Sequence, residues 1–258
     1  MRREDVMAHA SSGRSAPAGR RVDAEPGDRV VRLEGRRRAI ADALAAVQRD
    51  AVQVFALTEI DLARVEARRA EARTRGVRLS HLPFIVQAVA RAMDTCPELN
   101  ATLVGDEIRT HRAKNIGIAV DTEHGLVVPV VHHADRYHLE GLRDRIAELA
   151  ERARARALSS EELAGGTFTI SNPGREGNLV GVSILRAPEV AILRTGAVTK
   201  RPVVRTLDGE DHIVVRPVMM AALTYDHRAI DGKTGNRFLS AVRHALETWG
   251  DDFGPRLG

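Results

Sequence analysis

One histidine stands where the sequence could place a general base. His227 follows an apolar run, residues 218–223, that is typical of a strand, and it precedes an amphipathic segment that begins near Asp231. A side chain at the end of a strand can project into solvent, and an aspartate four residues later can cap the next helix. Residues 226–232 therefore suit proton transfer. The pattern His-x-x-x-Asp-Gly arises by chance in roughly a few per cent of chains this long, so its context has to decide.

The segments around this histidine combine helices and strands. Helical spacing of apolar residues predicts helices near residues 33–47, 61–74, 80–96 and 139–153, and a short one that starts at the capping pattern Ser159 to Glu162. Apolar runs between turn residues predict strands at 52–60, 102–104, 107–109, 116–120, 126–131, 167–171 and 189–193, and a hairpin near 208–209. Because helices and strands do not alternate strictly, the sequence favours a two-layer α/β (α+β) domain with a mixed sheet.

Composition divides the chain into three parts. Residues 1–29 are rich in Arg, Ser, Ala, Gly and Pro without apolar periodicity, so we expect a flexible leader there. Residues 30–250 are expected to form one domain, and residues 251–258 a tail. Hydrophobic residues make up 43% of the 258 residues, which is enough for a sizeable core.

Several classes of function lose support from the composition. The net charge is +4, but aromatic residues are only 3% of the chain and no basic helix of a DNA-reading type occurs, so no nucleic-acid partner is expected. The sequence has no Gly-x-Gly-x-x-Gly and no P-loop, the usual signals for NAD and ATP. The single cysteine, Cys96, excludes an internal disulfide. With no apolar run of membrane-spanning length and no signal-peptide core, a cytoplasmic protein without membrane contact is expected.

Eight short segments resemble one family when they are taken in chain order. They are RRRAIA (36–41), LPFIV (82–86), PELN (97–100), NIGIAVD (115–121), GLVVPV (125–130), GTFTISN (166–172), APEVAIL (187–193) and DHRAIDG (226–232). Together they resemble the catalytic domain of the dihydrolipoamide acyltransferase of 2-oxo acid dehydrogenase complexes, a relative of chloramphenicol acetyltransferase. The resemblance implies a chloramphenicol acetyltransferase-like fold and a homotrimer with active sites between subunits.

The resemblance also implies a reaction and roles for three residues. The family moves an acyl group between the thiols of dihydrolipoyl and coenzyme A through a tetrahedral intermediate. A thiol with a pKa near ~8.5 is mostly protonated at neutral pH, so a base with a pKa near ~6.5 helps it to attack. His227 matches the family's base, and Ser171, from the neighbouring subunit, matches the donor to the oxyanion. Asp231 matches an aspartate that binds an arginine and shapes the site, with Arg37 or Arg38 as its candidate partner.

Other histidines invite comparison with metal ligands. His132, His133 and His138 lie close together in the sequence but lack a Cys or Glu framework of recognisable spacing, so we assign no metal. A lone histidine near a helix start is more often structural than catalytic, and it is the family segments that favour the catalytic interpretation of His227. A serine after a strand often makes a turn hydrogen bond, so the structural interpretation of Ser171 also stays open.

The chain departs from the family pattern in places that bear on its substrates. A lipoyl domain and a subunit-binding domain do not fit ahead of Val30, so we expect a lipoyl-bearing chain in trans, or a free thioester, to supply the acyl group. Residues 172–178 and 193–196 differ from the family's common Asn-x-Gly-x-x-Gly and Ile-Leu-Gly forms, close to Ser171, so the acyl group is left open. The end of the chain lacks the family's leucine-rich segment, which favours a free trimer.

Three alternatives remain at the level of the sequence. An acyl-carrier protein with a phosphopantetheine thiol could replace coenzyme A in a specialised pathway. The chain could be a catalytically inactive trimeric scaffold, although His227, Asp231 and Ser171 are all retained. Acetylation of a small hydroxyl or amine, as in chloramphenicol acetyltransferase, fits the segments less well.

Overall fold

The computed structural model describes residues 25–173 and 178–250. The predicted tail, residues 251–258, lies outside the described residues, and so does the predicted leader as far as residue 24. The expectations about those two segments therefore stay predictions.

Contacts divide the chain into two compact units, Met1–Asp42 and Ala43–Gly258. The described part of the first unit ends inside a helix, where Arg38 Nε and the Asp42 carboxylate form an exposed ion pair of 3.0 Å one turn apart. The second unit carries every strand that the structure describes.

Six α-helices, two short 3-10 helices (Pro97–Leu99 and Ala134–Arg136) and nine strands make up the described part of the chain. The helices are α1 (Gly35–Asp50), α2 (Ala63–Thr74), α3 (Leu82–Thr95), α4 (Leu139–Arg154), α5 (Ser160–Leu163) and α6 (Gly232–Glu247). The strands are β1 (Gln53–Asp61), β2 (Ala101–Val104), β3 (Glu107–Thr110), β4 (Ile116–Ile118), β5 (Val130–Val131), β6 (Phe168–Ser171), β7 (Ala191–Thr195), β8 (Thr199–Leu207) and β9 (Glu210–Asp226).

Seven of these strands form one mixed sheet in the order β1-β9-β7-β6-β4-β5, with β8 paired to β9 as well. Strands β4, β6 and β7 are parallel to one another, and the remaining pairs are antiparallel. Strand β9 is long enough to serve two purposes, since its first half forms a ribbon with β8 and its second half lies between β1 and β7. Strands β2 and β3 form a separate hairpin. The mixed sheet predicted from the sequence is confirmed.

Helices cover this sheet through a continuous apolar core. Phe238 of α6 packs on Phe168 of β6, with ring centroids 5.6 Å apart. Phe84 of α3 meets Trp249 edge to face at 4.8 Å. All four side chains are buried, and such aromatic pairs add to the free energy gained from burial of apolar area. The helices therefore hold the ends of β6 and β9, where the predicted site residues lie.

Local signals in the sequence account for several element boundaries. Ser159 accepts a hydrogen bond from the Glu162 N–H (3.2 Å), and the Glu162 carboxylate accepts one from the Ser159 N–H (2.9 Å), so the predicted capping box is confirmed. The hairpin between β8 and β9 turns at Asp208 and Gly209, both with positive φ, as a tight two-residue hairpin loop requires.

Three local expectations differ from the structure. Asp61 is the last residue of β1 rather than the cap of α2, although its carboxylate does accept a bond from the Ala63 N–H at 2.9 Å. The predicted strands 116–120 and 126–131 pair over fewer residues, because Pro129 has no N–H to give to the ladder. Strand β7 begins two residues later than predicted, after Pro188 and Glu189.

Candidate active site

The turn after β9 is held by the carboxylate of Asp226, which is 3% exposed. This carboxylate accepts hydrogen bonds from the Arg228 N–H (3.1 Å), from Arg228 Nη2 (2.6 Å) and from the Val52 N–H (3.3 Å). Burial by itself would raise the pKa of Asp226, but the hydrogen bonds from Arg228 outweigh it and lower the pKa below its ordinary value. An ionised Asp226 thus ties the chain that leads into β1 to the turn that carries His227.

His227 is the first residue of this turn and is exposed, as is Arg228. Its backbone N–H donates to the Val52 carbonyl at 2.7 Å, which fixes the main chain. The ring lies 6.0 Å from the ring of Tyr225, the buried residue two positions earlier on β9. A fixed backbone and an exposed position are compatible with a general base.

Asp231 begins helix α6. Its carboxylate accepts a hydrogen bond from the Thr234 N–H at 2.7 Å, which makes it the N-cap, as the sequence predicted. This hydrogen bond keeps the pKa of Asp231 below its ordinary value. The expected pairing of Asp231 with Arg37 or Arg38 stays a prediction, and within the first unit Arg38 contacts Asp42.

Ser171 is the last residue of β6 and is half-buried. Its hydroxyl oxygen accepts a hydrogen bond from Arg194 Nη1 at 3.3 Å. Because the oxygen is the acceptor in this contact, the single hydroxyl proton remains available for another group. The arrangement suits a donor to an oxyanion, and the positive charge beside it favours developing negative charge.

The sheet register places Ser171 and His227 of one chain far apart. Ser171 pairs with Arg194 on β7, and Arg194 pairs with Ala222 on β9, five residues before His227. At ~3.4 Å per residue along the strands and ~4.8 Å for each of two strand spacings, the separation is roughly 20 Å. The imidazole and the hydroxyl of the same chain are therefore too far apart to act on one carbonyl group.

A cavity of about 1220 Å³ lies in the second unit. Its lining includes Ser171 and Arg194 as well as Asp226 and Arg228. The cavity is large enough for an extended ligand, since typical small-molecule sites enclose about 300–1,000 Å³.

Glu189 is a further charged residue of the cavity wall, and it was not anticipated from the sequence. Glu189 has a fully buried side chain that accepts hydrogen bonds from Thr169 Oγ1 (2.6 Å) and Arg186 Nη1 (2.7 Å). Burial raises the pKa of Glu189 despite these two contacts. The sequence did offer one signal for Glu189, since it is the only acid in the apolar segment 187–193. Its two partners, Thr169 and Arg186, lie outside that segment, so the pattern of the segment did not reveal them.

Two of the three histidines compared with metal ligands make hydrogen-bond contacts. The His132 ring nitrogen lies 3.1 Å from the Glu161 carbonyl oxygen, and the His133 backbone N–H donates to Asn115 Oδ1 at 3.0 Å. Within the described ranges, no three His, Cys, Asp or Glu residues are grouped as metal ligands would be. Each helix in those same ranges is too short or too polar to cross a bilayer.

A mixed sheet of this order, covered by helices, defines a fold class shared with chloramphenicol acetyltransferase. One solved chloramphenicol acetyltransferase aligns over 84% of this chain and 99% of its own, with a TM-score of 0.52 at 18% identity, which supports the fold alone. The model of the family of 2-oxoacid dehydrogenase acyltransferases (catalytic domain) matches residues 25–251, and the chain belongs to this family.

Curated relatives include components of two different complexes. The dihydrolipoyllysine-residue acetyltransferase component of the pyruvate dehydrogenase complex of Mycobacterium bovis is 46% identical over 194 residues, 74% of this chain and 35% of that protein. The dihydrolipoyllysine-residue succinyltransferase component of the 2-oxoglutarate dehydrogenase complex of Bacillus subtilis is 39% identical over 223 residues, 84% of this chain and 53% of that protein. The chain thus spans about a third to a half of these relatives.

Solved structures agree with this family assignment. A probable dihydrolipoamide acetyltransferase from Listeria monocytogenes aligns with a TM-score of 0.81 at 32% identity, over 89% of this chain and 98% of its own. The dihydrolipoamide acetyltransferase of Azotobacter vinelandii aligns with a TM-score of 0.76 at 32% identity, over 88% and 92%. The latter was studied for the role of a serine, a histidine and an asparagine in its catalytic mechanism, the asparagine lying four residues beyond the histidine.

Proposed function

We propose that this chain transfers an acyl group between the thiols of a dihydrolipoyl group and coenzyme A. The observation that carries the proposal is the turn of His227, an exposed imidazole on a backbone fixed by Val52 and Asp226, in a chain of the acyltransferase family. The names of its relatives point to dihydrolipoyl substrates in complexes for 2-oxo acids.

The proposed reaction needs one base and one donor to an oxyanion. The imidazole of His227 takes the proton of the attacking thiol as its sulfur bonds to the thioester carbonyl carbon. The carbonyl oxygen becomes an oxyanion, to which the Ser171 hydroxyl donates. When the intermediate collapses, the carbon–sulfur bond to the original thiol breaks and the leaving thiolate recovers the proton from His227. The number of thiols and of thioesters is unchanged.

We propose a positioning role for Asp231 rather than proton exchange. The Azotobacter protein has an asparagine four residues after its histidine, the spacing that separates Asp231 from His227 here. An amide cannot exchange protons as a carboxylate does, but both accept hydrogen bonds. The hydrogen bond that the Thr234 N–H donates at the N-cap needs only an acceptor, and an aspartate or an asparagine side chain can supply it.

The site we propose is formed by two copies of the chain, in a homotrimer. The separation of roughly 20 Å within one chain means that His227 must meet the Ser171 of another copy. Exposed apolar side chains support such an assembly, because Phe55 and Leu57 project from the edge strand β1 with 57% and 48% of their surface accessible. On the β8–β9 ribbon, the cross-strand pair Val204 and Ile213 is also exposed.

The cavity has a volume sufficient for part of the proposed substrates. A thiol at the end of a long flexible arm, on either coenzyme A or a lipoyl group, can enter an extended space of about 1220 Å³. We propose that a lipoyl-bearing protein is a partner and that the reaction proceeds without a metal. A reducing cytoplasm would suit a protein whose lone Cys96 is free and buried.

The test is a direct transfer assay. Purified protein is incubated with dihydrolipoamide and acetyl-, succinyl- or butyryl-coenzyme A, and acyl-dihydrolipoamide is measured by mass spectrometry. We expect transfer by the native protein and a loss of about 10²- to 10⁴-fold in kcat for His227→Ala. His244→Ala, which removes an exposed histidine from α6, is the matched control and should retain activity. Absence of transfer from every donor, or equal rates for His227→Ala and the native protein, would contradict the proposal.

A further inference from the structure

Arg194 lies at the centre of the sheet beside the proposed oxyanion donor. It sits on β7 between Ser171 of β6 and Ala222 of β9 in the register of the sheet. Its guanidinium lines the cavity, and Nη1 donates to Ser171 Oγ at 3.3 Å. A permanent positive charge therefore stands next to the position that we assign to the thioester carbonyl.

Among the residues that the structure describes, no acid compensates the charge of Arg194, in contrast to the other arginines of the cavity wall. Arg186 pairs with Glu189 at 2.7 Å, and Arg228 pairs with Asp226 at 2.6 Å. Arg194 makes no ion pair with an acid in residues 25–173 and 178–250, and its buried Nε lacks a hydrogen-bond partner there. Because Nε is enclosed, an anionic ligand in the cavity would bind through the remaining N–H groups of the guanidinium, and an uncompensated charge favours such a ligand.

The backbone around Arg194 makes room for this side chain. A Cβ at Gly181 would lie 2.6 Å from Arg194 Nε, and a Cβ at Gly196 would lie 2.0 Å from the Leu179 carbonyl oxygen. The two glycines allow the segment before β7 to lie directly against this strand. The guanidinium is thus held against a backbone wall, which limits the positions it can take.

The cavity that Arg194 lines also has apolar residues in its wall, among them Ile192 on the same strand, Val128 and Ile184. Apolar walls suit a short hydrocarbon chain, and a single guanidinium beside them suits one carboxylate at its end, which it can bind through two parallel N–H bonds.

We propose that Arg194 is a specificity residue that binds the free carboxylate of a dicarboxylic acyl group, such as succinyl. This inference rests on the proposed acyl transfer and on the position of Ser171 in it. In a succinyl thioester the carboxylate carbon is three bonds from the carbonyl carbon, so a guanidinium that touches Ser171 Oγ is within reach of the carboxylate. The curated relatives include both acetyl- and succinyltransferase components, so family membership alone leaves the acyl group undetermined.

Succinyl- and butyryl-coenzyme A form the matched pair for the test, because both have four-carbon acyl chains and differ by a carboxylate in place of a methyl group. We expect native protein to prefer succinyl, and Arg194→Ala to lower the ratio of the two kcat/KM values by about 10- to 100-fold, as for the loss of a charged hydrogen bond. The ratio cancels any loss through Ser171 that both donors share. Arg194→Lys, which keeps the charge without the planar fork, should fall between the two.

The controls separate this inference from the proposed function. Arg243→Ala removes the same charge from the exposed face of α6 and should leave the ratio unchanged. If native protein transfers butyryl but Arg194→Ala has an unchanged ratio, the carboxylate subsite is wrong while the acyltransferase proposal stands. If no donor is used by native protein, the proposed function itself fails. A preference of native protein for butyryl over succinyl would also overturn the subsite.

Discussion

At the scale of single residues, the site depends on side chains that hold other side chains. Asp226 is buried and fixes the turn, so that His227 need make only one backbone bond and keeps its ring free. Arg194 supports Ser171 in a comparable way, because its Nη1 donates a hydrogen bond to the hydroxyl oxygen of Ser171. In both places a charged hydrogen bond orients a neighbour that carries the proposed chemistry.

Asp226→Asn should weaken the turn of His227. The amide cannot reproduce the charged contacts with Arg228, so we expect a lower Tm at neutral pH and a loss of about tenfold or more in kcat from misorientation of the imidazole. The folded-state pKa of Asp226 lies below its ordinary value of 3.8, so ionised Asp226 stabilises the protein above that pH. This contribution is lost as the pH falls through the folded-state pKa.

Thermal unfolding of native and Asp226→Asn protein across the acid range measures this effect. The gap in Tm should be constant near neutral pH and should narrow as the medium is acidified below 3.8. Asp42→Asn is the control, because its ion pair with Arg38 is exposed on both sides and contributes little. A gap that widens on acidification would contradict the role given to Asp226.

At the scale of elements, the approach of α6 to β9 sets the position of the turn. The first turn of α6 contains Gly235, and a Cβ at this residue would lie 2.9 Å from Tyr225 Cε1. Tyr225 in turn lies beside the ring of His227. The small residue therefore allows the helix start, the end of the strand and the turn of His227 to pack closely.

Gly235→Ala should be destabilising although alanine is the better helix former by about 1 kcal/mol. The new methyl group would displace the Tyr225 ring, so we expect a lower Tm and reduced acyl transfer. Gly232→Ala in the same helix is the matched control, since its Cβ would have Tyr225 Oη as nearest neighbour, at 3.9 Å. Thermal unfolding and the transfer assay compare the two variants, and equal behaviour would show that the close approach is unimportant.

At the scale of the whole molecule, the sheet register separates the two proposed catalytic groups of one chain by roughly 20 Å. This separation has a physical origin in pairing, because β6 and β9 are both bound to β7 and their residues cannot slide past one another. We propose that assembly of copies brings a His227 to a Ser171, and exposed apolar residues such as Phe55 and Leu57 of β1 are available for subunit contacts.

Mixing of two inactive variants tests this arrangement. His227→Ala subunits keep Ser171, and Ser171→Ala subunits keep His227, so an interface between one of each contains both native groups in one of its two orientations. After unfolding and refolding of an equal mixture, random assembly should restore about a quarter of native activity. Refolding each variant separately is the control. If the mixture is no more active than the variants alone, the two groups do not meet between subunits.

The sequence alone determined what depends on near neighbours. The N-cap at Asp231, the capping box at Ser159, and the hairpin at Asp208 are each formed by residues within a few positions of one another, and each was predicted. His227 and Ser171 were identified because their segments resemble those of a family, a form of information that needs no coordinates.

Only the tertiary structure decided which distant residues touch. The contacts of Asp226 with Val52, of Arg194 with Ser171, and of Glu189 with Thr169 each join residues twenty or more positions apart, and they follow from the order and register of the strands. A strand pattern shows which residues share a face but leaves the neighbouring strand unspecified. For the same reason, the separation of His227 from Ser171 became visible only when the sheet was assembled.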